Sequence, residues 1–167
     1  MESGGEGELL DAIQEWVDTS QDKDDYENSD VYGYGHISTW DTGNITDMEE
    51  MFAYKETFNE DISLWNVSSV TSMTYMFEEC FMFNQDISNW DVSKVENMSN
   101  MFQDAQVFNN GGEPLKWETE SLVEAREMFK NASSLNNTVV LNFKEKIGFV
   151  DIKGIVDGAE NMCNNIK

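Results

Sequence analysis

Apolar residues return along this chain at intervals of 25 to 27 residues. The Met of a Met-Phe pair stands at positions 51, 76, 101 and 128, and a Trp precedes each of these Met residues by eleven positions. A large apolar residue follows each Met by seven positions, and Asn comes next. A fixed period of this length is typical of stacked repeat units, because no unit can bury its apolar side alone.

The pattern divides the middle of the chain into unit 1 (36–60), unit 2 (61–85), unit 3 (86–110) and unit 4 (111–137). Four columns of side chains are predicted to form ladders inside the stack, and the amides of the Asn column are expected to satisfy backbone groups of their own and the next unit. The ladder residues are Trp40, Trp65, Trp90 and Trp117; Met51, Met76, Met101 and Met128; Phe52, Phe77, Phe102 and Phe129; and Asn59, Asn84, Asn109 and Asn136.

Two periodicities meet inside each unit. The stretch Ile-Ser-x-Trp, as in residues 62–65, alternates apolar and polar residues and predicts a short strand. The segment 70–80 has apolar residues three, three, one and three positions apart, which predicts one face of a short helix. Each unit is therefore predicted to run strand, turn, helix, turn, with the strands of successive units paired in parallel.

The two ends differ from the repeats. Residues 1–35 are acidic and contain a predicted capping helix at 8–18, which is followed by a solvated linker at 20–30. The apolar face of that helix comprises Leu9, Leu10, Ile13, Trp16 and Val17. Residues 138–167 are interpreted as a degenerate fifth unit, or C-terminal cap, that has lost its Trp and its Met-Phe pair.

Charge narrows the possible partners. The chain has 167 residues and a formal net charge of −23, so nucleic-acid backbones and anionic membranes would repel it. It contains no apolar run as long as the roughly 20 residues of a membrane-spanning helix, and no secretory signal is visible at its start. We therefore expect protein partners, including partners within a large assembly, with no nucleic acid and no membrane insertion.

Few side chains suggest catalysis or metal binding. His36 has no nucleophile spaced around it and is interpreted as a surface or turn residue. Cys80 shares a column with Ala105 and Ala132, which predicts packing, and Cys163 has no metal partner in view. No cofactor is predicted.

The role of two columns of mostly Asp residues has more than one interpretation. They could offer oxygen ligands to Ca²⁺ or serve in hydrolysis of carbohydrates, but turn capping is the preferred interpretation because no known calcium motif is present. The columns are Asp41, Asn66 and Asp91, and Asp61 with Asp86.

The motifs W-D-V-S-x-V-x-N-M-x-x-M-F and F-N-Q-D-I-S-x-W resemble the BspA-type leucine-rich-repeat surface proteins. The resemblance covers residues 36–137. It implies an α/β fold, a leucine-rich-repeat-like right-handed solenoid with one short strand and one short helix per repeat. It also implies a surface, adhesion or protein-binding role without catalytic residues, located at a cell surface or on a virion.

The sequence thus favours a non-enzymatic interaction or structural module of a surface or virion-like assembly. The alternative is a carbohydrate-binding or carbohydrate-hydrolysing domain that uses the Asp columns. A possible docking end comprises Phe143, Ile147 and Phe149, because residues 138–167 carry no net charge and the degraded repeat covers this end poorly. The other interpretation is that these three side chains close the core.

Overall fold

The computed structural model describes residues 11–13, 15–16, 35–136, 138–142 and 150–159. Residues 11–13 and 15–16 are helical. Two 3₁₀ helices follow, at Ile37–Thr39 and Asn110–Gly112. Strand β1 is Leu115–Glu118 and strand β2 is Val139–Asn142. Most of the remaining described chain consists of turns, and these turns are stacked in a regular way.

A parallel ladder runs through all the units. Single parallel bridges join Asp47 to Ser72, Ser72 to Asn97, Asn97 to Glu124, and Glu124 to Asp151. Four bridges therefore join the same repeat position of five successive units. We call the residues from each bridge to the seventh position after it the ladder segment: 47–54, 72–79, 97–104, 124–131 and 151–158.

Backbone hydrogen bonds give the ladder its regularity. Between units 1 and 2, the N–H groups of residues 48, 50, 52 and 54 donate to the carbonyl oxygens of residues 72, 74, 76 and 78. The same four positions donate at each of the next three junctions, and all sixteen N···O distances lie between 2.8 and 3.0 Å. Each of the first four ladder segments thus satisfies half of its N–H groups through the next unit.

The predicted short helix does not form in the ladder segments. An α-helix bonds each N–H to the carbonyl four residues earlier in the same helix, whereas here alternate N–H groups bond to another unit. Two of the other N–H groups donate to the carbonyl oxygen three residues earlier: Met76 to Met73 at 3.3 Å, and Glu78 to Tyr75 at 3.0 Å. Tyr75 and Glu79 have positive φ angles of 57° and 54°. These left-handed residues recur every four positions, so a chain of turns produces the same apolar spacing as a helix.

The predicted strand is also absent from the first three units. In unit 1 the stretch is a 3₁₀ helix, and in units 2 and 3 it is a turn in which the N–H groups of Trp65 and Trp90 bond three residues back, at 3.1 and 3.2 Å. Only β1 and β2 are extended at this place, and they pair in parallel with Trp117 opposite Leu141. In unit 4, Pro114 stands directly before β1, at the repeat position that Ile62 and Ile87 occupy in units 2 and 3.

The core consists of the predicted columns. The side chains of the Trp, Met and Phe columns in units 1 to 4 are all buried. Successive rings of Phe52, Phe77, Phe102 and Phe129 stack at centroid distances of 5.4, 5.4 and 5.5 Å. Units 1 to 3 each contain a second Phe six positions later: Phe58, Phe83 and Phe108. Its ring centroid lies 4.0 to 4.1 Å from that of the first Phe of the same unit. Flat stacking at these distances fills the interior with aromatic surface and little polar area.

The two ends are described in part. Ala12 and Ile13 are buried in the same core, and the ring of Trp16 meets Phe58 and His36 edge-on at 6.5 and 6.0 Å. Leu9, Leu10, Val17 and the predicted linker lie outside the described residues. The proposed docking end, Phe143, Ile147 and Phe149, lies outside them as well. Residues 151–158 continue the ladder, with Gly154 and Gly158 at its two left-handed positions.

Candidate functional site

The Trp column joins units through its side chains. The indole Nε1 of Trp65 donates to the carbonyl oxygen of Ile37 at 2.9 Å, and those of Trp90 and Trp117 donate to the preceding unit in the same way, at 3.2 Å. Trp40 has no earlier unit to reach and donates instead to Gly35 at 3.1 Å. The sequence predicted the burial of these rings, but it offered no signal for the carbonyl that each one reaches.

The Asn column lies at the surface and not inside. Asn59 and Asn136 are exposed, and Asn84 and Asn109 are half-buried. Each side-chain oxygen accepts the backbone N–H of the next Asn in the column, at 2.8, 2.7 and 3.0 Å. The expected bond to the next unit is therefore present at a different place, where it lines one edge of the stack.

The Met and Phe columns expose no functional group. Every member except Met51, which is 6% exposed, has no solvent-accessible surface or almost none. These residues hold the units together and cannot contact a partner directly. Any contact surface therefore has to be found among the positions between the core columns.

The Asp columns cap turns. The Oδ1 atoms of Asp61 and Asp86 each accept the backbone N–H two residues later, at 3.0 Å. Asp41, Asn66 and Asp91 make the same bond at 3.1 to 3.2 Å. Hydrogen bonds from the side chain and backbone of Ser63 lower the pKa of Asp61, and those from Ser93 lower the pKa of Asp91. A general acid for glycoside hydrolysis needs a raised pKa, so these two carboxyl groups are tuned in the opposite direction.

Metal binding finds no support in the same columns. Within the part of the chain that the structure describes, no group of three His, Cys, Asp or Glu side chains could hold a metal ion. The capping oxygen of each Asp is already engaged by a backbone N–H, as in an Asx turn. This geometry favours turn capping over calcium coordination.

In unit 1, His36 stands at the repeat position that Asp61 and Asp86 occupy in units 2 and 3. Its Nδ1 accepts the backbone N–H of Ser38 at 3.2 Å and lies 2.8 Å from the hydroxyl of the same residue. Its Nε2 lies 3.4 Å from a carboxylate oxygen of Glu60. The imidazole thus caps the first 3₁₀ helix, which agrees with its interpretation as a turn residue.

Cys80 is buried in the small-residue column. Its Sγ donates to the carbonyl oxygen of Phe52 at 2.9 Å, and burial raises its pKa to about 12. A thiol with so high a pKa is a poor nucleophile at neutral pH. Cys163 lies outside the described residues.

The ladder segments carry, between their core positions, side chains that change from unit to unit. We define the ladder face as the non-core positions 49, 50, 53 and 54 of unit 1 and the equivalent positions of units 2 to 5. In units 1 to 3 its charged residues are all carboxylates: Glu49, Glu50, Glu78, Glu79 and Asp104. In units 4 and 5 cations enter as well: Arg126, Lys130 and Lys153, with Glu127 and Asp157.

Side chains on this face bond along the stack. Arg126 lies 2.7 Å from Asp151 of the next unit, and Lys130 lies 2.7 Å from Glu127 of its own. In the acidic part, Gln103 donates to Glu78 at 3.2 Å, and the hydroxyl of Tyr54 hydrogen-bonds with the same carboxylate. The sequence did not reveal this face, because a helix predicted over 70–80 would have placed these side chains differently.

Comparisons with known proteins place the chain in one family. No curated protein and no solved structure matches it. Within the described residues, no helix is both long enough and apolar enough to cross a membrane. A family model described as "Mycoplasma protein of unknown function, DUF285" matches residues 22–145, which is about three quarters of the chain and contains all four of the units numbered from the sequence. The chain therefore belongs to the DUF285 family of Mycoplasma proteins of unknown function.

Proposed function

We propose that this chain is a non-enzymatic protein-interaction or structural module, built as a capped leucine-rich-repeat-like solenoid. One observation carries the proposal: the inward columns repeat the same side chains, whereas the ladder face changes from unit to unit. Position 49 and its equivalents hold Glu, Thr, Ser, Arg and Lys in turn. Repeat proteins of this kind keep a uniform core and use a variable outer surface for binding.

The finer assignment concerns the BspA-type surface proteins. The quoted motifs support it, and so does the parallel stacking of consecutive units at one repeat position. A right-handed path, a place at a cell surface or on a virion, and membership of a larger assembly are parts of the same proposal. The acidic surface supports protein partners over nucleic acid or lipid.

The chemistry of the described residues supports binding over catalysis. The Asp columns are occupied in turn capping, His36 caps a 3₁₀ helix, and Cys80 is buried with a raised pKa. No observation favours the carbohydrate alternative, because the pKa values of Asp61 and Asp91 are lowered and the capping oxygen of each Asp in the columns is engaged by a backbone N–H.

The test compares the parent with two chains whose surface charges are altered. The ladder-face variant combines Glu49→Lys with Arg126→Glu, and both of these residues are exposed. The control variant combines Leu64→Arg with Asn89→Lys, two exposed positions on the side of the stack that carries the Trp column. All three chains are first shown by circular dichroism to fold and melt alike.

Each chain is then immobilised and used to capture proteins from its source cells, with mass spectrometric quantification. We expect a reproducible partner to be retained by the parent and by the control, and to be reduced about tenfold or more on the ladder-face variant, which corresponds to about 1.4 kcal/mol of binding free energy. Equal retention by all three chains would contradict a role for this face. If the parent retains nothing above background, the interaction function itself is contradicted.

A further inference from the structure

Glu78 is a buried carboxylate on a face where its equivalents bear different groups. Its residue is only 8% exposed, and the same column holds Ala53, Gln103, Lys130 and Asp157 in the other units. A charged group so well buried ordinarily has a cation beside it. The surroundings of Glu78 are therefore unusual enough to require an explanation.

The partners of Glu78 come from the units on both sides. Tyr54 of unit 1 hydrogen-bonds with its carboxylate, and Gln103 of unit 3 donates to Oε1 at 3.2 Å. The backbone links the same residues, since the N–H of Tyr54 donates to the carbonyl oxygen of Glu78 at 2.8 Å. Glu78 thus connects three successive units through one side chain.

Every charged group that acts on Glu78 is another acid. Glu50, Glu79 and Asp104 lie close enough to disfavour its ionised form. The cations of the ladder face belong to units 4 and 5, where Arg126 and Lys130 are paired with Asp151 and Glu127. Burial is the largest cause that raises the pKa of Glu78, the neighbouring acids raise it further, and the bond from Tyr54 opposes them.

We propose that Glu78 is a proton-uptake position that links the stacking of units 1 to 3 to pH. In its ionised form the carboxylate repels Glu50, Glu79 and Asp104 from inside the stack. Taking up one proton removes that repulsion and the desolvation of a buried charge, while the side chain keeps its position between Tyr54 and Gln103. Mild acidification therefore strengthens the contacts of these three units.

The direction of the pH effect on folding stability follows from the linkage between proton binding and folding. The folded chain holds the proton of Glu78 more tightly than the unfolded chain does, because its folded pKa is raised above the ordinary value of 4.5. The contribution of this group to stability therefore rises as pH falls from above the folded pKa toward the unfolded one. Asp61 contributes in the opposite direction, because its folded pKa is lowered.

The first test titrates the side-chain carboxyl carbons of the intact chain by NMR. Glu78 should titrate above the ordinary glutamate value of 4.5. In Tyr54→Phe, which removes a hydrogen bond that lowers the pKa of Glu78, its midpoint should move higher still. If Glu78 titrates at or below the ordinary value, or if Tyr54→Phe leaves its midpoint unchanged, the proposal is overturned.

The second test measures melting temperatures between pH 7 and pH 4. We expect Glu78→Gln to melt about 2–4 °C above the parent at pH 7, a shift of ordinary size for a chain of this length, and to lose this advantage as the pH falls. Glu49→Gln is the matched control and should show a smaller, less pH-dependent change. An advantage of Glu78→Gln that persists unchanged at pH 4 would refute the linkage. If this variant does not fold, the carboxyl titrations of the parent and of Tyr54→Phe decide the matter alone.

Discussion

Units 1 to 3 and units 4 and 5 share one ladder but differ at their other edge. In units 1 to 3 the Ile-Ser-x-Trp stretch is a capped turn, whereas in units 4 and 5 its place is taken by the parallel pair β1–β2. The ladder bonds are equally regular in both regions, at 2.8 to 3.0 Å. The ladder segment is therefore the constant element of the repeat, and the opposite edge tolerates insertions and a change of backbone conformation.

The two regions also differ in what they bury and expose. Units 1 to 3 stack six Phe rings, while Leu135 and Val156 replace Phe in units 4 and 5. On the ladder face, the charged residues of units 1 to 3 are all carboxylates. Units 4 and 5 add cations, of which Arg126 pairs with Asp151 of the next unit and Lys130 with Glu127 of its own. The first region therefore depends more on aromatic packing, and the second more on backbone pairing and ion pairs.

The largest expected effect tests the packing of the first region. Trp65→Ala removes a ring that is 3% exposed and its bond to the carbonyl of Ile37. We expect it to lower the free energy of unfolding by about 3–5 kcal/mol, as large-to-small core substitutions do. Urea denaturation measures the change. Leu64→Ala, next to it and 85% exposed, is the control and should change stability little; a parent-like Trp65→Ala would mean that the Trp column does not hold the units together.

The next effect tests the left-handed positions of the second region. Gly158 has a φ of 76°, and a Cβ added there would collide with the side chain of Asn131 in the preceding unit. We expect Gly158→Ala to cost about 2 kcal/mol, from backbone strain and the collision together. Its control, Gly112→Ala, has a positive φ but open space around the added Cβ, so it should cost less in the same thermal melts. Equal costs would show that the collision contributes nothing.

A smaller effect tests the capped turn, which only the first region has. Asp61→Ala removes the acceptor of the Ser63 N–H and should cost about 1 kcal/mol at neutral pH, the usual net value of a hydrogen bond. Glu113→Ala, at the same repeat position in unit 4, should cost less because no such turn forms there.

The effect of Asp61→Ala should depend on pH. Because the pKa of Asp61 is lowered in the folded chain, its contribution is present above the unfolded pKa and is lost as pH falls through the folded one. Melting curves of parent and variant should therefore converge in acid. A constant difference down to the lowest pH at which the chain folds would contradict the turn-capping role of the carboxylate.

The smallest expected change in stability concerns Thr42 and Thr119, which occupy the same repeat position in units 1 and 4. Thr42 donates its hydroxyl to the carbonyl of Asn66 at 3.0 Å, but the hydroxyl of Thr119 is buried without a hydrogen-bond partner among the described residues. Val occupies this column in units 2 and 3. We expect Thr119→Val to stabilise the chain by about 1 kcal/mol and Thr42→Val to be neutral or destabilising, as measured by differential scanning calorimetry. The reverse order would show that Thr119 has a partner.

The sequence predicted the apolar columns accurately, but it placed the Asn column inside the stack and assigned the wrong backbone conformation. Met73, Met76 and Phe77 were predicted to face the core, and they do. The helix assigned to them was wrong, because a turn that repeats every four residues has nearly the same apolar spacing as a helix. Tyr75 and Glu79 gave no warning of their left-handed conformation, since neither residue type favours it. In unit 5 the signal was present as Gly154 and Gly158.

The candidate surface was harder to predict for the same reason. The charges of Glu78 and Arg126 are visible in the sequence, but their neighbours come from residues about 25 positions away, and a helical reading assigns those neighbours wrongly. The burial of Glu78 between Tyr54 and Gln103 is a property of the stack. This burial requires three successive units and cannot be predicted from the sequence of any one of them.

The sequence by itself determined the period, the core columns and the acidic character of the chain, because these depend only on which residues recur and at what spacing. Tertiary structure decided how each unit satisfies its backbone. A segment such as 72–79 can bond within itself as a helix or outward to its neighbours, and the presence of similar units on both sides selects the second arrangement. That choice placed Glu78 inside the stack, left most of the ladder face outside, and gave the two regions their different edges.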